Sequence, residues 1–388
     1  MKILYHHRTR GDGAEGIHIA EVVYALEHLG HTVRVICPGA ARRDPGLQPS
    51  HAKKVHTGSI RSKALTQVLE LAYNTVTYAR AWRGIRAMRP AFVYERYTPL
   101  NFGGVLAAKH LGTPIILEVN ATYAGKLGCD IQVAYPKTLA RIEKSVLNWA
   151  DGIIVVSEPL RDCVVERIID PSKVLVTPNA INLNRLENLD VRSTRDRIRK
   201  KYHIRQGFVV GFVGSMRRWH GLDFLAESMA DVLSRWSDTH FLLVGTGEME
   251  SELRAYVSEH GLSEHVTITG AVPHEEVYPI LSAIDVGVSP DTPPYASPMK
   301  LLEYMALGAV PVAPDYPPIR EIISDGRTGL IFPPRSKLDF VECIVGLAEN
   351  RSLLQSLGNA AKEEVLKERT WTKNAQSIID LSMKIVKH

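Results

Sequence analysis

The stretch Ser297-Pro298-Met299-Lys300-Leu301-Leu302-Glu303 places a hydroxyl, an ammonium and a carboxylate within seven residues. It lies between the apolar runs 284–288 and 310–313, so a strand, a loop, a helix and a strand are expected. Ser297 suits the N-cap and Pro298 the first helical turn. A helix start offers unpaired backbone N–H groups and a positive dipole end, which together attract an anion. Lys300 adds a cation there. Glu303, three residues on, can accept hydrogen bonds from a vicinal diol such as a ribose. Phosphate plus diol is nucleotide chemistry. The same residues also fit an exposed i,i+3 ion pair, worth only a few tenths of a kcal/mol. Pro290, Pro293 and Pro294 favour the first reading, because they hold an irregular loop just outside a strand's carboxyl end. That is where open α/β sheets bind ligands.

Three other loops in the same half have the same character. Val209 to Val213 leads into Gly214-Ser215-Met216-Arg217-Arg218-Trp219-His220-Gly221. Arg217 and Arg218 at a helix entry suit phosphate by bidentate hydrogen bonding, or are simply solvated. Gly245-Thr246-Gly247-Glu248 and Gly270-Ala271-Val272-Pro273-His274 each follow an apolar run. Four strand-end loops fit for one nucleotide form a stronger signal than any of them alone. Near the start of the chain, Gly11, Gly13 and Gly16 follow the first apolar run and precede a helix expected over 17–29. Glycines there admit close approach of a ligand to the backbone. The second strand ends in Cys37-Pro38, with no acid to hold the ribose of a nicotinamide dinucleotide, so that cofactor is not expected there. The chain has no D-x-D, P-loop, G-x-S-x-G elbow or metal-spaced His/Cys cluster, and no metal is expected.

These loops need a scaffold. At 388 residues the chain suits two domains, and 45% hydrophobic with 23% charged residues is ordinary for a globular protein. Strands are expected at 3–5, 32–36, 92–94, 114–118, 152–156 and 174–177. A second set is expected at 208–213, 241–244, 266–269, 284–288, 310–313 and 330–332. Helical patterns lie between them. That alternation means parallel, doubly wound sheets. We divide the chain into a first domain over 1–187, a linker with a short helix over 188–206, a second domain over 207–370 and a last helix over 371–388. A net charge of +5 suits anionic substrates or an anionic membrane rather than a dedicated nucleic-acid partner. Cys37, Cys129, Cys163 and Cys343 are scattered, and no signal peptide or membrane span is expected, so the reading is cytoplasmic. Segment 53–89 is rich in Lys and Arg with Glu70 as its one acid, interleaved with Leu65, Val68, Leu69, Val76 and Trp82. It is either a packed helix with a solvated basic face or a helix that lies on a membrane surface.

Taken together, Phe212-Val213-Gly214, Val244 to Glu248, Ser297 to Ala306 with Gly308, and Glu321 to Gly329 resemble the retaining family-4 glycosyltransferases of the GT-B fold. Gly152 to Glu158 and Val174 to Ile181 extend the resemblance over nearly the whole chain. It implies two Rossmann-like domains facing each other across a cleft. It also implies a sugar moved from a nucleoside diphosphate to an acceptor with retention of configuration. The donor, with UDP expected first and GDP second, is a co-substrate rather than a cofactor. Glu303 matches the acid that holds the ribose. Arg217 or Arg218, with Lys300, would meet the diphosphate, and Gly13 and Gly16 would approach it from the first domain. Gly214, Ser215, His220, Gly245, Gly247, Val272, Tyr295, Ser297, Pro298 and Met299 would complete the donor pocket. The acceptor would be a glycan, a lipid-linked molecule in a polysaccharide or glycolipid pathway, or a small natural product.

The chain departs from the family pattern at three places. Tyr295 stands where the first of two acids is usual. Ser215 and His220 stand where Arg and Lys are usual, and Asn120 stands where many members have His. These departures keep two alternatives open: a sugar-nucleotide epimerase on the same fold, and a nucleotide-sugar-binding subunit without catalysis.

Overall fold

The computed structural model describes residues 1–9, 13–38, 60–123, 134–187, 189–205 and 207–386, without the side chains of residues 14, 60–62 and 386. Gly11, Lys53, Lys54, Cys129 and the side chain of Arg61 therefore lie outside the described parts. Two compact units form, one from Met1–Pro178 with Trp371–His388 and one from Asn179–Thr370.

The first unit is built on a six-stranded sheet of β1 (Lys2–His6), β2 (Thr32–Ile36), β3 (Phe92–Arg96), β4 (Ile115–Val119), β5 (Gly152–Val155) and β6 (Val174–Val176). The spatial order is β2-β1-β3-β4-β5-β6 and all described pairings are parallel. The second unit holds β7 (Phe208–Val213), β8 (Thr239–Val244), β9 (Val266–Ile268), β10 (Val286–Val288), β11 (Val310–Pro314) and β12 (Leu330–Phe332). Their order is β12-β11-β10-β7-β8-β9, again all parallel. All twelve strands lie on the apolar runs expected for them, because strands covered by helices on both faces read as near-continuous Val, Ile and Leu. Both sheets reverse direction once. The chain returns across β1 to place β3 in the first unit, and across β7 to place β10 in the second. Such switch points leave a crevice at the strands' carboxyl ends.

Two expectations are corrected. The division falls at Pro178–Asn179 rather than within 188–206. The helix Val191–Lys201 is packed in the second unit: Asp190 caps its first N–H groups, and Thr194 and Ile198 are buried. Its Arg199 pairs with the buried Asp285 at 2.7 Å and Arg195 pairs with the same carboxylate, which fastens the helix to the start of β10. The last helix, Trp371–Val386, packs in the first unit on the helix Ala14–His28 and on β5.

The basic segment is also not one helix. Its described part forms Ile60–Ala72 and Asn74–Met88, broken at Tyr73. Asn74 makes the break. Its Oδ1 accepts from the N–H groups of Phe102 and Gly103 at 2.8 and 2.9 Å, and its Nδ2 donates to the Leu100 carbonyl at 2.9 Å. The second of these helices buries Ala81, Gly84 and Ile85. The first leaves Leu65, Val68 and Leu69 between 52% and 60% exposed.

Candidate functional site

The helix Met299–Leu307 is fixed at the second unit's switch point by one side chain. Tyr304 is fully buried, and its ring lies against Gly287, where an added Cβ would come within 2.1 Å of it. Its hydroxyl accepts from the Val213 N–H at 2.9 Å, at the end of β7, and donates to the Val288 carbonyl at 3.4 Å, at the end of β10. The phenol thus bridges the two strands whose ladder stops there. Lys300 is one turn earlier on the same face.

Lys300 is therefore buried, 8% exposed, although a sequence reading leaves it on a surface. Its Nζ lies 4.1 Å above the Phe212 ring and has no hydrogen-bond partner among the described residues. The Gly214 backbone is immediately beside it: a Cβ added there would be 3.4 Å from Nζ. Burial pushes the Lys300 ammonium down to about 7, opposed by Glu303. His220 stands beside it with Nδ1 buried and unpartnered. Burial first, then Lys300 and Arg217, push the imidazole down to about 3, so it is neutral at physiological pH. A buried, unpaired ammonium is costly, and such perturbed groups cluster where a ligand supplies the missing charge.

Around this cation the loops after β7, β8 and β9 stack closely. Gly245 has φ +132°, and a Cβ there would meet the Gly214 carbonyl oxygen at 2.0 Å. A Cβ on Gly247 would meet the Met216 carbonyl oxygen at 2.5 Å. These glycines therefore have a packing reason of their own. Ser215 is exposed, Val272, Tyr295, Pro298 and Met299 are half-buried, and Glu303 is half-buried on the helix face next to Lys300. Arg217 stacks on Trp219, with its guanidinium 4.7 Å from the ring centroid. Arg218 is turned to Glu252 in an exposed pair at 3.0 Å. Ser297 is not the N-cap. Pro298 occupies that position without a side-chain cap, and Ser297 Oγ instead accepts from the Asn179 N–H at 3.2 Å. The helix start has no side-chain cap, and its Leu301 N–H bonds to the Pro298 carbonyl at 3.2 Å.

In the first unit, Gly13 takes φ +73° at the N-cap of the helix Ala14–His28, and a Cβ added there would meet nothing within 4 Å among the described residues. Gly16 lies in that helix's first turn, its N–H bonded to the Gly13 carbonyl. Asn120 is tied down: its amide donates to Glu118, a fully buried carboxylate at the end of β4. Glu118 also pairs with Arg96 and with His18 Nε2 at 3.0 Å, and accepts from the Tyr5 hydroxyl at 3.1 Å. Burial alone would raise the Glu118 carboxyl. His18 and Arg96, with hydrogen bonds from His18 and Asn120, outweigh it and hold the group well below its ordinary range. This knot was missed from sequence because its members come from four separate segments. The hint was a histidine, His18, in the apolar stretch Ile17-His18-Ile19.

Comparison with known proteins agrees with the fold. Residues 207–350 match the model of "Glycosyl transferases group 1", and residues 15–185 match that of "Glycosyltransferase Family 4". The alpha-D-kanosaminyltransferase of Streptomyces kanamyceticus is 22% identical over 66% of this chain and 67% of its own length. The alpha-maltose-1-phosphate synthase of Mycolicibacterium smegmatis is 25% identical over 96% of both chains. Matches to two further curated relatives span 49% and 60% of their lengths. Among solved structures, Anabaena HepE in complex with UDP shares the fold with a TM-score of 0.72 at 15% identity, over 98% of this chain and 99% of that one.

Proposed function

Because the chain belongs to the group 1, family 4 glycosyltransferases of GT-B fold, we propose that it moves a hexose or related sugar from a nucleoside diphosphate, UDP first, to an acceptor hydroxyl with retention. The buried, unpartnered Lys300 ammonium carries this reading. With the N–H groups at the start of Met299–Leu307 it forms an anion site, and Glu303, three residues on, can accept from the ribose diol. Lys300 then supplies the positive charge that Ser215 and His220 do not. As the bond from the anomeric carbon to the diphosphate breaks, the new bond to the acceptor oxygen forms on the same face. The acceptor's proton passes to the leaving diphosphate, so no side-chain base is needed and Asn120 is tolerated. Lys300, the helix end and Arg217 stabilise the charge that develops on the leaving group, which makes the catalysis electrostatic and independent of a metal ion. UDP in the HepE complex supports the choice of base.

A thermal-shift screen against UDP-, GDP-, ADP- and dTDP-sugars tests the assignment. One donor should raise the melting temperature, and the shift should vanish in Glu303→Ala, which should also lose turnover while staying folded. Wild-type turnover in that variant would remove Glu303 from the site.

We also propose that the acceptor is met at a membrane surface. Leu65, Val68 and Leu69 form an exposed apolar stripe at i, i+3, i+4 on the helix Ile60–Ala72, within the basic segment. No helix among the described residues is long and apolar enough to cross a membrane. Vesicles containing phosphatidylglycerol should bind the wild type at low salt and release a Leu65→Ser/Leu69→Ser variant. Absence of wild-type binding would end this idea.

A further inference from the structure

A small, open cleft lies in the first unit at the carboxyl ends of β1 and β2, lined among others by His7, Arg8, Cys37, Tyr73, Thr77 and Arg80. None of these residues has a part in the donor site. Arg8 is the distinctive member. Its side chain is 9% exposed, its Nη2 donates to Glu70, and its guanidinium lies 4.7 Å over the Tyr73 ring. Its Nη1 is buried with no acceptor among the described residues. Arg80, exposed at the cleft, donates to the Tyr73 hydroxyl at 3.3 Å. Tyr73 therefore holds two guanidinium groups around one opening, and among the described residues the carboxylate paired with Arg8 is Glu70. His7 adds no charge, since burial and then His6 push its imidazole down to about 4. A guanidinium left with a buried, unmatched N–H edge is costly, and an oxyanion is the partner that fits its fork.

We propose that this cleft binds a phosphate group carried by the acceptor. The inference rests on the reading of the first unit as the acceptor-binding unit, and it narrows the acceptor to a phosphorylated molecule. A tetrahedral phosphate can take the free edge of Arg8 and the guanidinium of Arg80 with different oxygens. Glu70 and Tyr73 belong to the same helical region that exposes Leu65, Val68 and Leu69. The phosphate can come from a soluble sugar or polyol phosphate or from a lipid headgroup, and the test separates the two.

The full-length protein carrying Lys300→Met, which removes the donor anion site, is titrated with inorganic phosphate, with glycerol 3-phosphate and with phosphatidylglycerol vesicles. Arg8→Gln and Arg80→Gln are compared with Arg83→Gln, an equal change of charge on the exposed face of the same helix as Arg80. Affinity for at least one probe should fall tenfold or more in Arg80→Gln and in Arg8→Gln but not in Arg83→Gln. Arg80 is exposed, so its variant tests the site even if Arg8→Gln folds poorly. Binding of glycerol 3-phosphate identifies a soluble acceptor. Binding confined to vesicles identifies a headgroup. Equal affinity in Arg80→Gln and Arg83→Gln, or no binding of any probe, overturns the proposal. UDP binding by the wild type is measured in parallel, so a failure here is distinguishable from a failure of the donor assignment.

Discussion

Lys300→Met is expected to make the protein more stable while it loses its nucleotide. Burial lowers the ammonium from 10.5 to about 7, which corresponds to roughly 5 kcal/mol of unfavourable differential protonation below pH 7. Methionine has a similar length and no charge; replacing even a buried ion pair by apolar side chains is often stabilising by about 1–4 kcal/mol, and removing a lone buried charge should act in the same direction. For a unit of this size that is a rise of several degrees in melting temperature. The sign of the pH dependence follows from linkage. Lys300 binds its proton less readily in the folded state, so wild-type stability increases with pH between about 7 and 10.5. The advantage of the variant is therefore largest at pH 7 and below and disappears near pH 10.5. Differential scanning calorimetry across that range measures it. A lower melting temperature for the variant at neutral pH would mean that Lys300 has a compensating partner, and the argument for an anion site would fail.

Glu118→Gln should have the opposite effect. The carboxylate faces Arg96 and His18 with no solvent to help, and removing one partner of a buried pair costs about 3–5 kcal/mol. Its carboxyl titrates lower in the folded protein than in the unfolded chain. Its contribution is thus complete above about pH 4.5 and is lost as pH falls below that value. The variant should melt well below the wild type at pH 7, and the gap should narrow in acid. Because Glu118 and Lys300 belong to different units, the variant should still bind UDP at temperatures where it is folded. An unchanged melting temperature at pH 7 would show that the knot contributes nothing to the first unit.

The scaffold was legible from sequence because parallel strands covered on both sides announce themselves as apolar runs between amphipathic stretches. The twelve strands and the two doubly wound sheets follow from that alone. The loops at the strand ends were legible too, from Gly214, Gly245 and Gly270 after their runs. What failed was the assignment of individual polar groups to partners. Ser297 looked like a cap because of its neighbour Pro298, yet its hydroxyl bonds to Asn179, more than a hundred residues away. Arg218 looked like a possible phosphate ligand, and its guanidinium rests in an exposed pair with Glu252 of the helix after β8, a partner that local pattern did not suggest. Segment 188–206 looked like a linker because it is polar, whereas Arg195 and Arg199 are its packing contacts through Asp285. Lys300 was marked for its charge. Its burial depends on Tyr304 settling on Gly287, which only the tertiary structure reveals. In each case the deciding partner is distant in sequence, and local pattern carries no record of it.

The most direct test of a diphosphate on Lys300 is titration calorimetry of UDP into the wild type and Lys300→Met at pH 7 and pH 9. The diphosphate raises the Lys300 pKa, so binding takes up a proton and wild-type affinity falls by up to tenfold per pH unit above 7. The variant corrects for titration of the ligand itself. The account predicts binding at least tenfold weaker in the variant at pH 7, with a difference that shrinks at pH 9. Equal affinity in the two proteins at both pH values would contradict it.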